Sequence, residues 1–481
     1  MMLIEPESVR EIDAACIQSG IPGFRLMTAA GLAVAAAALR YFPGAVRFAV
    51  LAGPGNNGGD AYIAAGALRD AGAVVDVYQL TPGRPSTQDA ARALDECGLA
   101  QQPLSAYRPE NDDVVIDGLF GAGLSRDLGP DLIGLIARVE AARIPVIAID
   151  LPSGIDGRNG RILGAAFNAT HTVTFMALKP GMLLLPGRDL CGAVEIADIG
   201  IPRRLIELHR STVRINEPDI WQDYTSRYSA TAHKYSRGAL VVFSGSTSHT
   251  GAARLSAEAA LRAGAGLVTI ASPSDAMAEN AAHLTAIMLR EIDDVAALEA
   301  WLTDKRLGTF VLGPSFGIGQ KARDFVLALR DRKLVLDADG ITSFKGDPAV
   351  LFEAFSGDDP RLVLTPHEGE FQRLFRDIAG NDGLSKVDKA IAAAKRANAA
   401  VIYKGSDTVI ASPDGHAAIN TNAPPSLATA GSGDVLAGIC GALLAQGYPA
   451  WEAACAAVWH HGEAARRAGA GMTAETLVTH I

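Results

Sequence analysis

Short apolar runs recur along this chain, bounded by glycines or polar turns and separated by stretches of helical length. In the first half they occupy residues 47–52, 74–80, 113–118, 144–151, 173–175 and 193–196, with a helical pattern over 60–71 and a helix pair, 7–18 and 24–40, ahead of them. Continuous apolar runs alternating with helices indicate parallel sheets covered on both faces. The alternation stops in a polar segment, 202–237, rich in Arg, Tyr, Ser and Thr. It restarts at 239–244, an Ala-rich helix 251–264, then 267–271, 309–312, 334–337, 361–365 and 400–403. The pattern therefore predicts α/β architecture with two doubly wound domains, 1–215 and 216–481.

A chain of 481 residues is long enough for such a division. The net charge of −10 and the lack of a Lys/Arg run argue against nucleic-acid binding. Five cysteines, at 16, 97, 191, 440 and 455, form no C-x-x-C pair, which points to a reducing, cytoplasmic setting. No leader-like start and no unbroken apolar run of membrane-spanning length is expected. A homo-oligomer is expected, with the Ala-rich stretches 251–264 and 450–468 as candidate contacts; burial inside the domain accounts for the same composition.

Chemistry concentrates where the apolar runs end, as it does in open α/β sheets. Residues 52–60 read A-G-P-G-N-N-G-G-D, 117–127 read D-G-L-F-G-A-G-L-S-R-D, and 150–154 read D-L-P-S-G. Glycines there let backbone approach a phosphate or ribose, while a loop with left-handed asparagines and capping aspartates is the plainer alternative. Residues 53–58 spell G-x-G-x-x-G, but no acidic residue follows at the end of the second run, so a plain dehydrogenase is disfavoured. Asn57, Asp117 and Ser153 offer only hard oxygen ligands, suited to an alkali or alkaline-earth cation.

The last motif of the second half is T-A-G-S-G-D-V-L-A-G, residues 429–438, which leads into an apolar helix at 435–446. Free N–H groups at a helix start form an anion site. Asp434 at its lip is either a general base beside that site or an ordinary N-cap. Upstream lie L-G-P-S-F-G-I-G (312–319), L-D-A-D-G-I (336–341), L-T-P-H-E-G-E-F and Y-K-G-S-D-T-V-I (403–410). Asp337 and Asp339 either help bind magnesium or cap the next helix. His367 has the alternative of a buried turn histidine, and Lys404 that of a solvated lysine.

The first-half loops, with G-I-P-G-F-R-L-M-T-A-A-G near the start, resemble the NAD(P)H-hydrate epimerase family. The second half, with H-K-Y-S-R-G-A-L-V-V-F-S-G-S and the loops above, resembles the NAD(P)H-hydrate dehydratase branch of the ribokinase-like fold. Together nearly the whole chain resembles bifunctional NAD(P)H-hydrate repair enzymes. The resemblance implies a Rossmann-like first domain in which Asn56, Asn57, Gly58, Gly59, Asp60, Gly121, Ala122, Gly123, Leu124, Ser125, Arg126, Asp127 and Asp150 bind the hydrated dinucleotide. Asp150 would be its acid/base group, with Lys179 as charge partner or as a solvent-facing lysine, and Asn57, Asp117 and Ser153 would hold K+. In the second domain Ala252, Gly317, His367 and Asp434 would contact the hydrate, NADHX or NADPHX. Lys404, Gly405, Ser406, Asp407, Thr408 and Gly433 would contact ADP or ATP, accompanied by Mg2+. Ala61, Ala122, Ser315-Phe316 and Ser432 depart from the family's usual Gly, Thr, Gly-Leu and Thr.

The implied chemistry is epimerisation at C6 of the hydrated nicotinamide, then nucleotide-dependent dehydration with Asp434 as base. Two rivals stay open: a small-molecule kinase that stops at phosphorylation, and a first domain that only binds a partner.

Overall fold

The runs of the first half form β1 (Arg47–Ala52), β2 (Val74–Gln79), β3 (Gln101–Pro103), β4 (Asp113–Gly118), β5 (Val146–Ile149), β6 (His171–Phe175) and β7 (Ala193–Ala197). Those of the second form β8 (Val213–Ile215), β9 (Ala239–Phe243), β10 (Leu267–Ser272), β11 (Met288–Glu291), β12 (Thr309–Leu312), β13 (Lys333–Leu336), β14 (Leu362–Leu364), β15 (Ala399–Tyr403), β16 (Val409–Ala411) and β17 (Ala417–Ile419). The computed structural model describes residues 2–224, 234 and 237–481; His233, Tyr235 and Ser236 of the H-K-Y-S-R-G stretch lie outside the described residues. The chain divides into two units, Met1–Ser211 and Thr212–Ile481. The division precedes β8 because β8 pairs with β17, Val213 beside Ala417, and so belongs to the second sheet.

The first sheet runs β3-β2-β1-β4-β5-β6-β7 and is parallel throughout. Its order reverses between β1 and β4. One face packs on the N-terminal helices through Ile12, Cys16, Leu26, Met27 and Val34. The helix Gly23–Tyr41 is long and apolar enough to cross a membrane, but Leu26, Met27, Ala30, Val34 and Ala38 bury its inner stripe in this core. That burial is the ordinary use of an amphipathic helix against a sheet.

The second sheet runs β11-β10-β9-β12-β13-β14-β15-β16-β17-β8. It is parallel from β11 to β15, then turns antiparallel through β16 and β17. Its order reverses between β9 and β12. The helices Gly251–Arg262, Ser432–Ala445 and Ala450–Ala468 cover one face, and their alanines are buried there. The candidate contact stretches are therefore mostly spent inside the unit. Close packing explains the small residues: a Cβ at Gly438 would stand 2.1 Å from the Ser256 carbonyl oxygen.

Candidate active sites

In the first unit β1 and β4 lie side by side, Leu51 beside Asp117 and Ala52 beside Gly118. The sheet order reverses here, and an open α/β sheet forms its ligand crevice at such a point. The loops leaving the two strands press together. A Cβ at Gly53 would sit 1.8 Å from the Leu119 carbonyl oxygen, and one at Gly58 would sit 1.9 Å from that of Gly53. These glycines serve close approach rather than an unusual φ.

Asn56 to Asp60 are not a loop. They open the helix Asn56–Asp70, which starts four residues earlier than the pattern predicts, with Gly55 as N-cap. The glycines hid this start, because Gly58 and Gly59 usually weaken a helix. Here neighbouring backbone and the Met27 sulphur occupy the space a side chain would need. Asn56 accepts a hydrogen bond from Thr87 Oγ1 (2.8 Å). Asn57 Nδ2 is buried with no partner, and Ala61 packs its methyl against the bare Cα of Gly118.

Asp117, at the end of β4, is fully buried. It accepts from Ser153 N (2.7 Å), Ser153 Oγ (2.6 Å) and Leu119 N (3.2 Å). Burial pushes its carboxyl up to about 6 against these bonds, and no lysine or arginine offsets the charge among the described residues. A buried carboxylate that lacks a counter-charge fits a cation. With the Asn57 amide and the Ser153 hydroxyl the donors are hard, as an alkali ion needs.

Asp150 lies just beyond β5 in a left-handed conformation, φ 65°. One carboxylate oxygen accepts from Ala122 N (2.9 Å); the other accepts from Thr174 Oγ1 (3.1 Å) and Lys179 Nζ. Burial alone would raise this carboxyl, but Lys179 and the hydrogen bonds outweigh it and hold it below the usual range. Lys179 is 1% exposed, so the solvent-facing reading is wrong: its amine turns inward because Asp150, Thr174 and the Phe175 carbonyl receive it. Of the remaining loop, Ala122 is buried, Gly121 and Leu124 half-buried, and Gly123, Ser125, Arg126 and Asp127 form an exposed rim. Asp60 is buried, and burial followed by the charges of Asp150 and Asp13 drives its carboxyl well up.

In the second unit the reversal lies between β9 and β12. A Cβ at Gly245, after β9, would stand 2.1 Å from the Ser315 carbonyl oxygen, after β12. Ala252 opens the helix that follows β9. Ser315 takes a left-handed φ of 54°, and Phe316 packs edge-on against Phe243, so these two departures fill the loop's inner side. Gly317 N donates to Asp339 Oδ2 (2.9 Å).

Asp337, beyond β13, makes no side-chain cap bond. It accepts from Thr365 Oγ1 (2.6 Å) and from Lys404 Nζ (2.9 Å). Lys404 is therefore not a freely solvated lysine. Burial lowers its pKa, but Asp337, Glu370 and Asp434 together raise it. His367 is not buried; its side chain is 54% exposed. It caps the helix Glu368–Leu374, Nδ1 accepting from Gly369 N, while its own N–H donates to buried Glu370. In the K-G-S-D-T turn, Thr408 Oγ1 donates to the Gly405 carbonyl (2.7 Å), Asp407 is ion-paired with Lys386, and Gly405 and Ser406 are exposed.

The glycine loop enters the helix Ser432–Ala445 through Gly431, left-handed at φ 83°. Asp434 thus stands in the first turn of the helix, not at its cap. Burial, then the charge of Asp337, pushes its carboxyl up to about 6, with Lys404 opposing. A Cβ at Gly433 would lie 3.6 Å from Lys404 Nζ. Backbone amides, a cation and a carboxylate that carries charge near neutrality converge here, as proton abstraction and phosphoryl transfer require.

Residues 240–481 match the family model described as NAD(P)H-hydrate dehydratase, and residues 23–181 match the one described as YjeF-related protein N-terminus. A curated relative from Gloeobacter violaceus, a bifunctional NAD(P)H-hydrate repair enzyme, is 38% identical over 99% of this chain and 96% of its own. One of the same description from Escherichia coli is 32% identical over 93% of this chain and 85% of its own. A solved ribokinase-like superfamily protein from Enterococcus faecalis covers 56% of this chain at 22% identity, TM-score 0.49. The chain belongs to the bifunctional NAD(P)H-hydrate repair enzyme family.

This member of the repair-enzyme family also brings to its sites residues that the motifs did not single out. Asp13, on the helix Pro6–Gln18, is driven up to about 6 by burial and then by Asp150. Its helix touches the site loops, with Arg10 against Gly123 and Pro6 against Gly157. Glu370 underlies His367 and faces Lys404. His461, on the helix Ala450–Ala468, reaches the Ser432 carbonyl (2.9 Å). The E in H-E-G-E was visible as an N3 partner for a capping residue. Asp13 and His461 carry no local signal, since only tertiary packing brings their helices to the loops.

Proposed function

We propose that this chain repairs hydrated nicotinamide cofactors in two steps. The first unit exchanges the R and S epimers of NADHX or NADPHX at C6, and the second dehydrates the S epimer at the expense of ADP or ATP. The observation that carries the reading is that two differently biased carboxylates, Asp150 beside the loop after β4 and Asp434 beside Lys404, belong to two units that each match one half of the repair-enzyme family.

In the first unit Asp150 stays ionised beside Lys179 and accepts the proton that must leave during epimerisation. Residues 56–60 and 121–127 hold the dinucleotide around it. A potassium ion, held by Asn57, Asp117 and Ser153, would supply positive charge that fixes the two loops.

In the second unit Asp434 takes the proton of the C6 hydroxyl, and that oxygen attacks the terminal phosphorus of the nucleotide. The bond to the departing AMP or ADP breaks, while Lys404 and the amides of Gly431 to Gly433 face the charge that develops. Phosphate then leaves C6, a C5 proton is lost, and the C5–C6 double bond returns. Phosphorylation is needed because hydroxide is a poor leaving group. Magnesium usually binds through one or two carboxylates plus substrate phosphates, and the Asp337 and Asp339 carboxylates fit an ion that arrives with the nucleotide. Ala252, Gly317 and His367 hold the hydrate, and residues 404–408 with Gly433 hold the nucleotide. ADP is the proposed donor, as the resemblance to the family implies.

Free thiols at all five cysteines are consistent with a cytoplasmic setting. A homo-oligomer stays part of the reading and is checked by light scattering. The function itself is tested by giving the protein S-hydrate with magnesium and either ADP or ATP, and following restored NADH absorbance. Recovery with one nucleotide supports the reading; accumulation of a phosphorylated product without NADH would instead mark a kinase.

A further inference from the structure

The loop at residues 429–434 is braced from behind. His461 is buried, 7% exposed, and its Nε2 lies 2.9 Å from the Ser432 carbonyl oxygen. A carbonyl can only accept, so Nε2 carries the proton and the ring is the neutral Nε2–H tautomer. Burial holds the ring's pKa down to about 4, and nearby Lys404 acts in the same direction, so it stays neutral. The Ser432 carbonyl belongs to the same peptide unit as the Gly433 N–H. In a trans peptide these two groups point in opposite directions. Fixing the carbonyl toward His461 therefore fixes the N–H away from it; Lys404 Nζ lies 3.6 Å from the position of a Gly433 Cβ.

The Ser432–Gly433 peptide opens the helix Ser432–Ala445, and His461 adds a side-chain bond to its carbonyl. Gly431 is left-handed and Gly433, in the first helical turn, has no side chain, so no side chain of either glycine steadies the helix start. The Ser432 hydroxyl is turned back to the Leu427 carbonyl (2.8 Å) and steadies the preceding turn. Ser256 Oγ donates to the Asp434 carbonyl (2.7 Å), one peptide beyond Gly433. The Ser432–Gly433 peptide between these anchors is held laterally by His461.

We propose, building on the phosphoryl-transfer reading of this unit, that His461 is a positioning residue which orients the Gly433 amide toward the transferring phosphoryl group. It touches neither substrate nor nucleotide. It acts by holding a single donor in the direction in which charge appears, and by polarising that donor through the shared peptide.

The test pairs His461→Leu, which removes the donor, with His461→Gln, whose amide nitrogen can reach a similar point. Steady-state kinetics use S-hydrate, ADP and magnesium. The expected result for His461→Leu is a fall in kcat on the order of 10- to 100-fold, with KM for the hydrate little changed. His461→Gln is expected to recover most of that loss. Equal losses in both variants, or an unchanged kcat in His461→Leu, would overturn the proposal. Should His461→Leu not fold, 15N-histidine spectra of the wild-type protein decide. A neutral Nε2–H ring whose signal, like that of the Gly433 amide, shifts when ADP and magnesium bind supports the role. An Nδ1–H ring, or no shift, refutes it. Wild-type protein without dehydratase activity would refute the broader reading instead.

Discussion

Asp150 and Asp434 are both half-buried carboxylates beside a lysine, yet their charges are set in opposite directions. Lys179 bonds Asp150 directly and keeps it ionised. Burial raises Asp434, and with Lys404 committed to Asp337 it feels that aspartate's charge as well as the lysine's, so it stands at about 6. Divergent environments of this kind assign acid and base roles. Because a protonated Asp434 cannot accept the hydroxyl proton, dehydration kcat/KM is expected to fall as pH drops through about 6 and to level off above it. Stopped assays across that range check this, and a limb that survives in Asp434→Asn would assign it to another group. Asp434→Asn itself should lower kcat by about 100- to 10,000-fold. Lys179→Met leaves Asp150 buried without its partner, which should cost about 3–5 kcal/mol, measured by urea unfolding. The aspartates were legible because Asp150 closes an apolar run and Asp434 stands between a glycine turn and an apolar helix. The bias on each was not, since it comes from Lys179, Asp337 and Lys404, which the chain brings in from other strands.

At the scale of elements, strands that read as apolar runs between helices announced themselves, and β3, β8, β11, β16 and β17 did not. β3 (Gln-Gln-Pro) is exposed along its whole length, and β11 (Met-Leu-Arg-Glu) nearly so, so neither carries an apolar run. β8, β16 and β17 are three residues each, and only their pairing makes them strands. Helix starts were displaced for another reason. Asn56–Asp70 and Ser432–Ala445 both begin inside glycine-rich loops, where propensity argues for a turn and packing overrides it. The same packing makes the glycines intolerant. Gly438→Val sets a branched side chain against the Ser256 carbonyl, already 2.1 Å from an added Cβ. It should destabilise the second unit by about 1–3 kcal/mol or more, read as a lower Tm, with the first unit's epimerase rate unchanged.

Across the whole molecule the same construction occurs twice: a doubly wound sheet whose order reverses between two central strands, with glycine loops at the reversal. Each unit holds its own carboxylate and its own buried or half-buried lysine, so the two activities should be separable. Asp150→Asn is expected to abolish epimer exchange while dehydration of pure S-hydrate proceeds at the wild-type rate. The repetition was visible as two series of apolar runs around the polar segment 202–237, but not the side chains that complete each site from distant helices. The most direct measurement supplies a mixture of R- and S-hydrate with nucleotide and magnesium, and follows NADH to its end point for the wild type and Asp150→Asn. Complete recovery by the wild type, with the variant stopping at the S fraction plus spontaneous exchange, is the expected result. A wild type that also stops at the S fraction, or that restores no NADH with either nucleotide, would contradict the two-site account.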